Sequence, residues 1–287
     1  HSIAHGHQAA SLLEATEERF WLGFSLYVQG CVYNMTGDFQ HTLEVATRMH
    51  AIGETIGDRR LLAGAMMILG WSYTGQGAWE AGIEALQHAA AISPDAFETA
   101  SIMGILGYAY MGKGDLAQAI PILEQAVQAA DRYRSRQVQS MFRIYLGEAY
   151  HLDDQIEKAS GSAYQGLKLA EAIKFPWGMG RAQRILGCIA LTNGNLAEAE
   201  FYLQHALETL ASIHACFEQA RTHLDCAALA HTQGHQDTAT THLSTAYAWF
   251  QKLQVPKWME RTEQRAREYG VMLTEVELEE FETEDSP

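Results

Sequence analysis

Apolar and small residues recur along this chain in one short pattern, repeated many times. An apolar residue precedes a glycine, and an aromatic residue or alanine follows three positions later. The pattern reads Leu69-Gly70 with Tyr73, Leu106-Gly107 with Tyr110, Leu146-Gly147 with Tyr150 and Leu186-Gly187 with Ala190. Gly30 with Tyr33 begins the series, and Cys226-Ala227 with Ala230 closes it in degraded form. From Gly30 to Ala227 the spacings are 40, 37, 40, 40 and 40 residues, a period that marks an internal repeat.

About seven residues after each glycine comes a turn. The turns contain Gly37, Gly77, Gly114, Asp153-Asp154, Gly194 and Gly234. Glycine there can take a positive φ, which ends one helix and lets the chain reverse. Small residues recur in the segment that follows, as at Ala81 and Ala85, Ala119 and Ala126, Ala159 and Ala163, and Ala199 and Ala206. They would let two antiparallel helices approach closely, with Leu86, Leu123, Leu203 and Leu243 filling the space between. One such hairpin cannot cover its own apolar faces. Neighbouring hairpins must stack, and the expected fold is all-α, a right-handed α-solenoid of stacked antiparallel helix pairs.

These units resemble tetratricopeptide repeats. The stretch from Trp79-Glu80-Ala81 through Ala89 to Ile92-Ser93-Pro94 carries the likeness best, followed by Gly194-Asn195-Leu196-Ala197-Glu198-Ala199-Glu200. The family's usual period is shorter than 40, so either the helices or the connection after the second helix is longer here. Segments 56–60 and 175–181 are expected in that connection. Long-period repeats of this sort are similar to the C-terminal helical arrays of bacterial signalling ATPases, maltose-regulator-like activators and ATPase-coupled nucleotide cyclases. The expected organisation is a second helix of a preceding repeat over 1–17, as in a piece of a longer protein. Six hairpins and a terminal helix opened by Pro256 follow over 18–270. A flexible acidic tail is expected over 271–287.

Composition agrees with helices. Ala occurs 42 times and Pro 5 times, and 47% of residues are hydrophobic. With 20 Lys and Arg against 35 Asp and Glu, the formal charge is −15. A field of that sign repels nucleic acid and anionic membranes, and neither is expected as a partner. No apolar run reaches the ~18 residues of a membrane span. Four scattered cysteines, Cys31, Cys188, Cys216 and Cys226, do not make a disulfide framework, so a cytoplasmic setting is expected.

Catalytic signatures fail on inspection. Residues 107–113 have the spacing of a phosphate-binding loop, but Gly114 stands where Ser or Thr is needed, and the segment reads as helix. His214, Cys216, His223 and Cys226 could suggest a metal site, yet Cys226 sits in the apolar column before the glycine. Asp153-Asp154 occupies a turn. The expectation is a non-enzymatic protein without metal or cofactor.

Binding remains. In tetratricopeptide-like superhelices the first helix of each pair lines the concave wall, and the resemblance implies the same here. The expected lining is Tyr27, Cys31, Asn34, Met67, Trp71, Thr74, Tyr108, Met111, Ile144, Glu148, His151, Arg181, Arg184, Leu191, Arg221, Leu224 and His231. Aromatic residues and methionines come early and arginines late. Guanidinium groups bind carboxylate or phosphate in two-pronged geometry, so an acidic protein or peptide partner is one expectation. A small anionic effector on the arginine wall is a second, and end-to-end assembly of copies a third. Contact with other domains of a longer parent chain is also expected. The lysine-asparagine carboxylate clamp of chaperone-binding tetratricopeptide proteins is not reproduced at these positions.

Overall fold

The computed structural model describes residues 2–15 and 18–278. Among them are fourteen helices: α1 (Ser2–Glu14), α2 (Arg19–Thr36), α3 (Phe39–Ile56), α4 (Arg59–Gln76), α5 (Trp79–Ile92), α6 (Ala96–Lys113), α7 (Leu116–Tyr133), α8 (Arg136–Leu152), α9 (Ile156–Ala172), α10 (Pro176–Thr192), α11 (Leu196–Ala211), α12 (Cys216–Thr232), α13 (Gln236–Lys252) and α14 (Pro256–Tyr269). From α2 onward consecutive helices pair as hairpins, and each hairpin stacks on the next. The first helices of successive hairpins also touch, α2 against α4 and α4 against α6. The chain is an all-α solenoid.

Local chemistry sets the boundaries. The carboxylates of Asp38, Asp58, Asp95 and Asp115 accept backbone N–H bonds in the first turns of α3, α4, α6 and α7. Each satisfies a donor that has no partner inside the helix. At the other ends Gly37, Gly77, Gly114, Gly194 and Gly234 take φ between 76° and 89°, and Asp154 takes 58°. The long period comes from the helices, most of which run 17 or 18 residues. Connections are short, and segment 175–181 largely opens α10, because Pro176 at its first position suits a helix start. The one 37-residue interval contains the shorter α5, which stops ahead of Ser93-Pro94. Glycine recurs before the turn because the paired helices nearly touch there. A Cβ on Gly70 would lie 2.5 Å from Leu86 Cγ, and one on Gly187 would lie 2.7 Å from Leu203 Cγ.

The solenoid curls until its two ends meet. α12 packs against α2, and α14 against α4. Phe39 meets Phe217 edge to face, with centroids 5.3 Å apart, and joins a buried cluster of Trp249, Phe250, Val255 and Trp258. The two ends are finished differently. On α2, Trp21 and Val28 are 54% and 47% exposed, whereas Leu61 and Ile68, forty residues later, are buried at 2% and 0%. In the other direction 271–278 carries no helix but is docked, which corrects the expectation of a flexible tail for this part. Val271 and Leu273 pack near Leu243 and Ala266, Thr274 N donates to Ser244 Oγ at 2.9 Å, and Leu278 rests on the Phe250 cluster. Residues 279–287, the rest of the expected tail, lie outside the described residues, as do 16–17 of the expected N-terminal segment.

Candidate ligand-binding site at the closed mouth

The curl brings the expected arginine wall face to face with carboxylates. Arg181 Nη2 donates to Glu148 Oε2 at 3.0 Å, Arg184 Nη2 to Glu148 Oε1 at 2.6 Å, and Arg221 Nη2 to the same oxygen at 2.5 Å. Arg184 Nη1 reaches Asp225 Oδ2 at 2.9 Å, and Arg181 Nε lies 3.4 Å from Glu218 Oε1. Arg221 Nη1 donates to Tyr108 Oη at 3.3 Å, across 113 residues of sequence. The cluster therefore links α6, α8, α10 and α12. Three guanidinium groups meet three carboxylates, so the charge is spent internally. Burying ions without such pairing is costly, and one-sided removal leaves an uncompensated charge.

Aromatic rings close the cluster from below. The Arg181 guanidinium, wholly buried, sits 4.6 Å from the Tyr145 ring centroid, 4.9 Å from Trp177 and 5.0 Å from Tyr108. Tyr108 and Tyr145 stack at 4.5 Å. Cation–π attraction supplements the ion pairs where water is excluded. Burial by itself pushes the Glu148 carboxyl up, but Arg184, Arg221 and Arg181 together outweigh it and hold the group well below the usual carboxylate range. Glu148 is thus a fixed anion, not a proton carrier. Burial likewise pushes the Tyr145 phenol up.

Above the cluster a cavity of about 410 Å³ opens between α4 and α14, walled by α6, α8, α10 and α12. Of the expected residues, Thr74, Tyr108, Met111, Glu148, His151, Arg184, Arg221 and Leu224 line it. Others do not. Met67 is core, and Tyr27 and Cys31 pack against it. Asn34 and Trp71 border a separate void of about 10 Å³, close to the least a water molecule needs. Ile144 is fully buried, and Leu191 packs against the cluster around Leu203. Arg181 lies beneath the cavity with 0% exposure, so it cannot face solvent as a wall residue would. His231 stacks on Tyr269 at 3.9 Å.

The expected lining did not include the remaining residues, Trp79, Asp225, Trp258, Arg261, Arg265 and Glu268 in particular. A signal for one of them was present. Arg181, Arg221 and Arg261 are spaced by 40 residues and form a single register column. Arg261 is exposed, and its guanidinium lies 4.6 Å from the Trp258 ring centroid. Partial desolvation of the guanidinium, then the positive charges of Arg221 and Arg265, lower its pKa. The other suspected groups are occupied elsewhere. Residues 107–113 lie in α6, and His223 Nδ1 meets His242 Nδ1 at 2.9 Å on the hairpin of α12 and α13. No helix among the described residues is long and apolar enough to cross a membrane.

The tetratricopeptide repeat family model matches residues 100–133 and 185–209. The match covers part of the chain, within a solenoid whose other hairpins have the same build. Among solved structures, a Rap protein complexed with Competence and Sporulation Factor is similar, at TM-score 0.69 and 16% identity over 92% of this chain and 71% of that one. The apo form of RapI matches at TM-score 0.55 and 10% identity, over 86% and 97% of the two chains. A signal transduction ATPase with numerous domains and a tetratricopeptide repeat sensor, PH0952 from Pyrococcus horikoshii, matches at TM-score 0.54 and 16% identity. That match covers 88% of this chain and 46% of the ATPase. Such identities establish a shared fold. No curated protein matches the sequence.

Proposed function

We propose that this chain is a non-enzymatic binding module that takes a short peptide segment into the cavity at the closed mouth of the superhelix. One observation carries this reading: the cavity is built from both sides of the seam, with Thr74 of α4 and Trp79 of α5 on one side and Trp258, Arg261 and Arg265 of α14 on the other. A ligand seated there touches both and fastens the ring. At about 410 Å³ the space falls within the ~300–1,000 Å³ range of small-ligand sites, which suits a few residues of peptide and not a folded domain. The lining mixes Trp, Tyr and Arg, the side chains most often found at binding hot spots.

Two similar structures support the reading by what they are: one Rap protein is complexed with a named factor, and one ATPase carries such repeats as a sensor. By that analogy the module acts as the regulatory part of a larger signalling protein. Reversing the charge of Arg181, Arg184 or Arg221 is a poor test, because these groups hold the fold together. Gln264 is exposed on α14 and borders the cavity, so Gln264→Trp blocks the mouth without entering the core. A displayed library of random short peptides, selected on the wild type, should yield sequences that bind the Trp variant at least about tenfold more weakly, a difference of about 1.4 kcal/mol. No enrichment, or equal binding to both proteins, would overturn the reading.

A further inference from the structure

The register column Arg181–Arg221–Arg261 changes character from one rung to the next. Arg181 is sealed and paired with Glu148 and Glu218. Arg221 is nearly sealed and pairs with the same two carboxylates. By the third rung those acids are used up. Arg261 is held over the Trp258 indole, and among the described residues no carboxylate lies within ion-pair distance of it. The same indole also takes the Arg221 guanidinium at 5.3 Å from its ring centroid, so Trp258 separates a satisfied cation from an unsatisfied one. Arg265 borders the same space, 3.9 Å from Glu268 and with Nη1 donating to Tyr269 Oη at 3.4 Å.

We infer that Arg261, propped on Trp258 and seconded by Arg265, is the anchor for a single carboxylate of the ligand. The inference deepens the peptide reading above and rests on it for the rest of the ligand. Charge decides the class of anion. Arg184, Arg221, Arg261 and Arg265 line the cavity against Glu148, Asp225 and Glu268, leaving one positive charge in excess. A monoanion neutralises that excess. A phosphate dianion would overshoot it while facing Asp225 and Glu268. The planar guanidinium matches the two carboxylate oxygens, and stacking on the indole holds its plane before the ligand arrives. The repulsion from Arg221 and Arg265, which after desolvation lowers the Arg261 pKa, is relieved when a negative charge arrives.

The carboxylate can come from a peptide C-terminus or from an acidic side chain, and blocked peptides separate the two. The probes are acetylated trialanine with a free carboxylate, its C-terminal amide, and the amide with a central glutamate. Arginine side-chain Nε–H resonances are followed by NMR, the Arg261 signal being assigned by its loss in Arg261→Gln. The expected result is a saturable shift at Arg261 with one or both carboxylate probes, the responding probe naming the source, and none with the neutral amide. In Arg261→Gln the affinity should fall about tenfold or more, with Arg261→Lys restoring only part of it. A shift of equal size with the neutral amide, no shift with any probe, unchanged affinity in Arg261→Gln, or tighter binding of inorganic phosphate would each overturn the inference. A carboxylate response without any selected peptide keeps this site and removes the peptide reading. Selected peptides that ignore Arg261 do the reverse.

Discussion

The indole Nε1 of Trp258 donates to the backbone carbonyl of Gly75 at 2.8 Å, joining residues 183 positions apart. This carbonyl belongs to α4 and the indole to α14, so the bond lies at the seam where the superhelix meets itself. Trp258 also carries the guanidinium groups of Arg221 and Arg261 on its ring. Closure and the candidate site therefore share one side chain. Trp258→Phe keeps most of the apolar contact and removes the donor, leaving the Gly75 carbonyl unpaired. A stability loss of about 1–3 kcal/mol is expected in chemical denaturation. Spin labels at Ala78 and Glu260, both exposed, should report a longer and broader distance across the seam. An unchanged distance distribution would show that other contacts close the ring.

Glu148 is the shared partner of three guanidinium groups, so its removal should cost more than that of any single arginine contact. Glu148→Gln leaves Arg181, Arg184 and Arg221 with excess positive charge in a buried place. The expected destabilisation is about 3–5 kcal/mol. Denaturant titration checks it, and a loss below about 1 kcal/mol would mean that Glu218 and Asp225 suffice as counterions.

Acid should weaken the fold in two stages. His223 is held down at about 3 by burial and then by the neighbouring His242. In the unfolded chain it takes up its proton near pH 6.5. The native state thus binds fewer protons, and stability present above pH 6.5 is lost as the pH falls toward 3. The loss by pH 5 is on the order of 2 kcal/mol. Glu148, depressed in the native state, adds a second decline below the ordinary Glu value of about 4.3. His223→Phe should shrink the first stage, with His242 and His151, also lowered by burial, keeping the remainder, and leave the second. A wild-type stability that is constant from pH 7 to pH 5 would contradict the first stage.

Register alone should separate two apolar substitutions of similar chemistry. Leu61 packs against α2 at Gly23, whereas Trp21, forty residues earlier, has no preceding first helix over it among the described residues. Leu61→Ala should cost about 2–5 kcal/mol. Trp21→Ala should cost less than about 1 kcal/mol, since surface changes away from packed features are small. Thermal melts of the two variants make the comparison, and equal losses would mean that Trp21 is covered in solution.

The repeat, the hairpins, the turn positions and the core leucines are legible from the residues alone. Their causes are local: an apolar stripe at helical spacing, a glycine where two helices touch, a residue able to take positive φ where the chain reverses. The period also marked Arg181 and Arg221, and it would have marked Arg261. Their partners are another matter. The small rotation from each hairpin to the next is a sum over many packing contacts, and only that sum brings Phe217 onto Phe39 and Trp258 onto Gly75. Once the ring closes, Glu148, Glu218 and Asp225 cancel the arginines expected to face a ligand, and the open positive charge moves to α14. Local periodicity determined which residues form helices and which faces they bury. Tertiary structure decided which charges find partners, because ion pairing depends on distances between hairpins that no short-range pattern encodes.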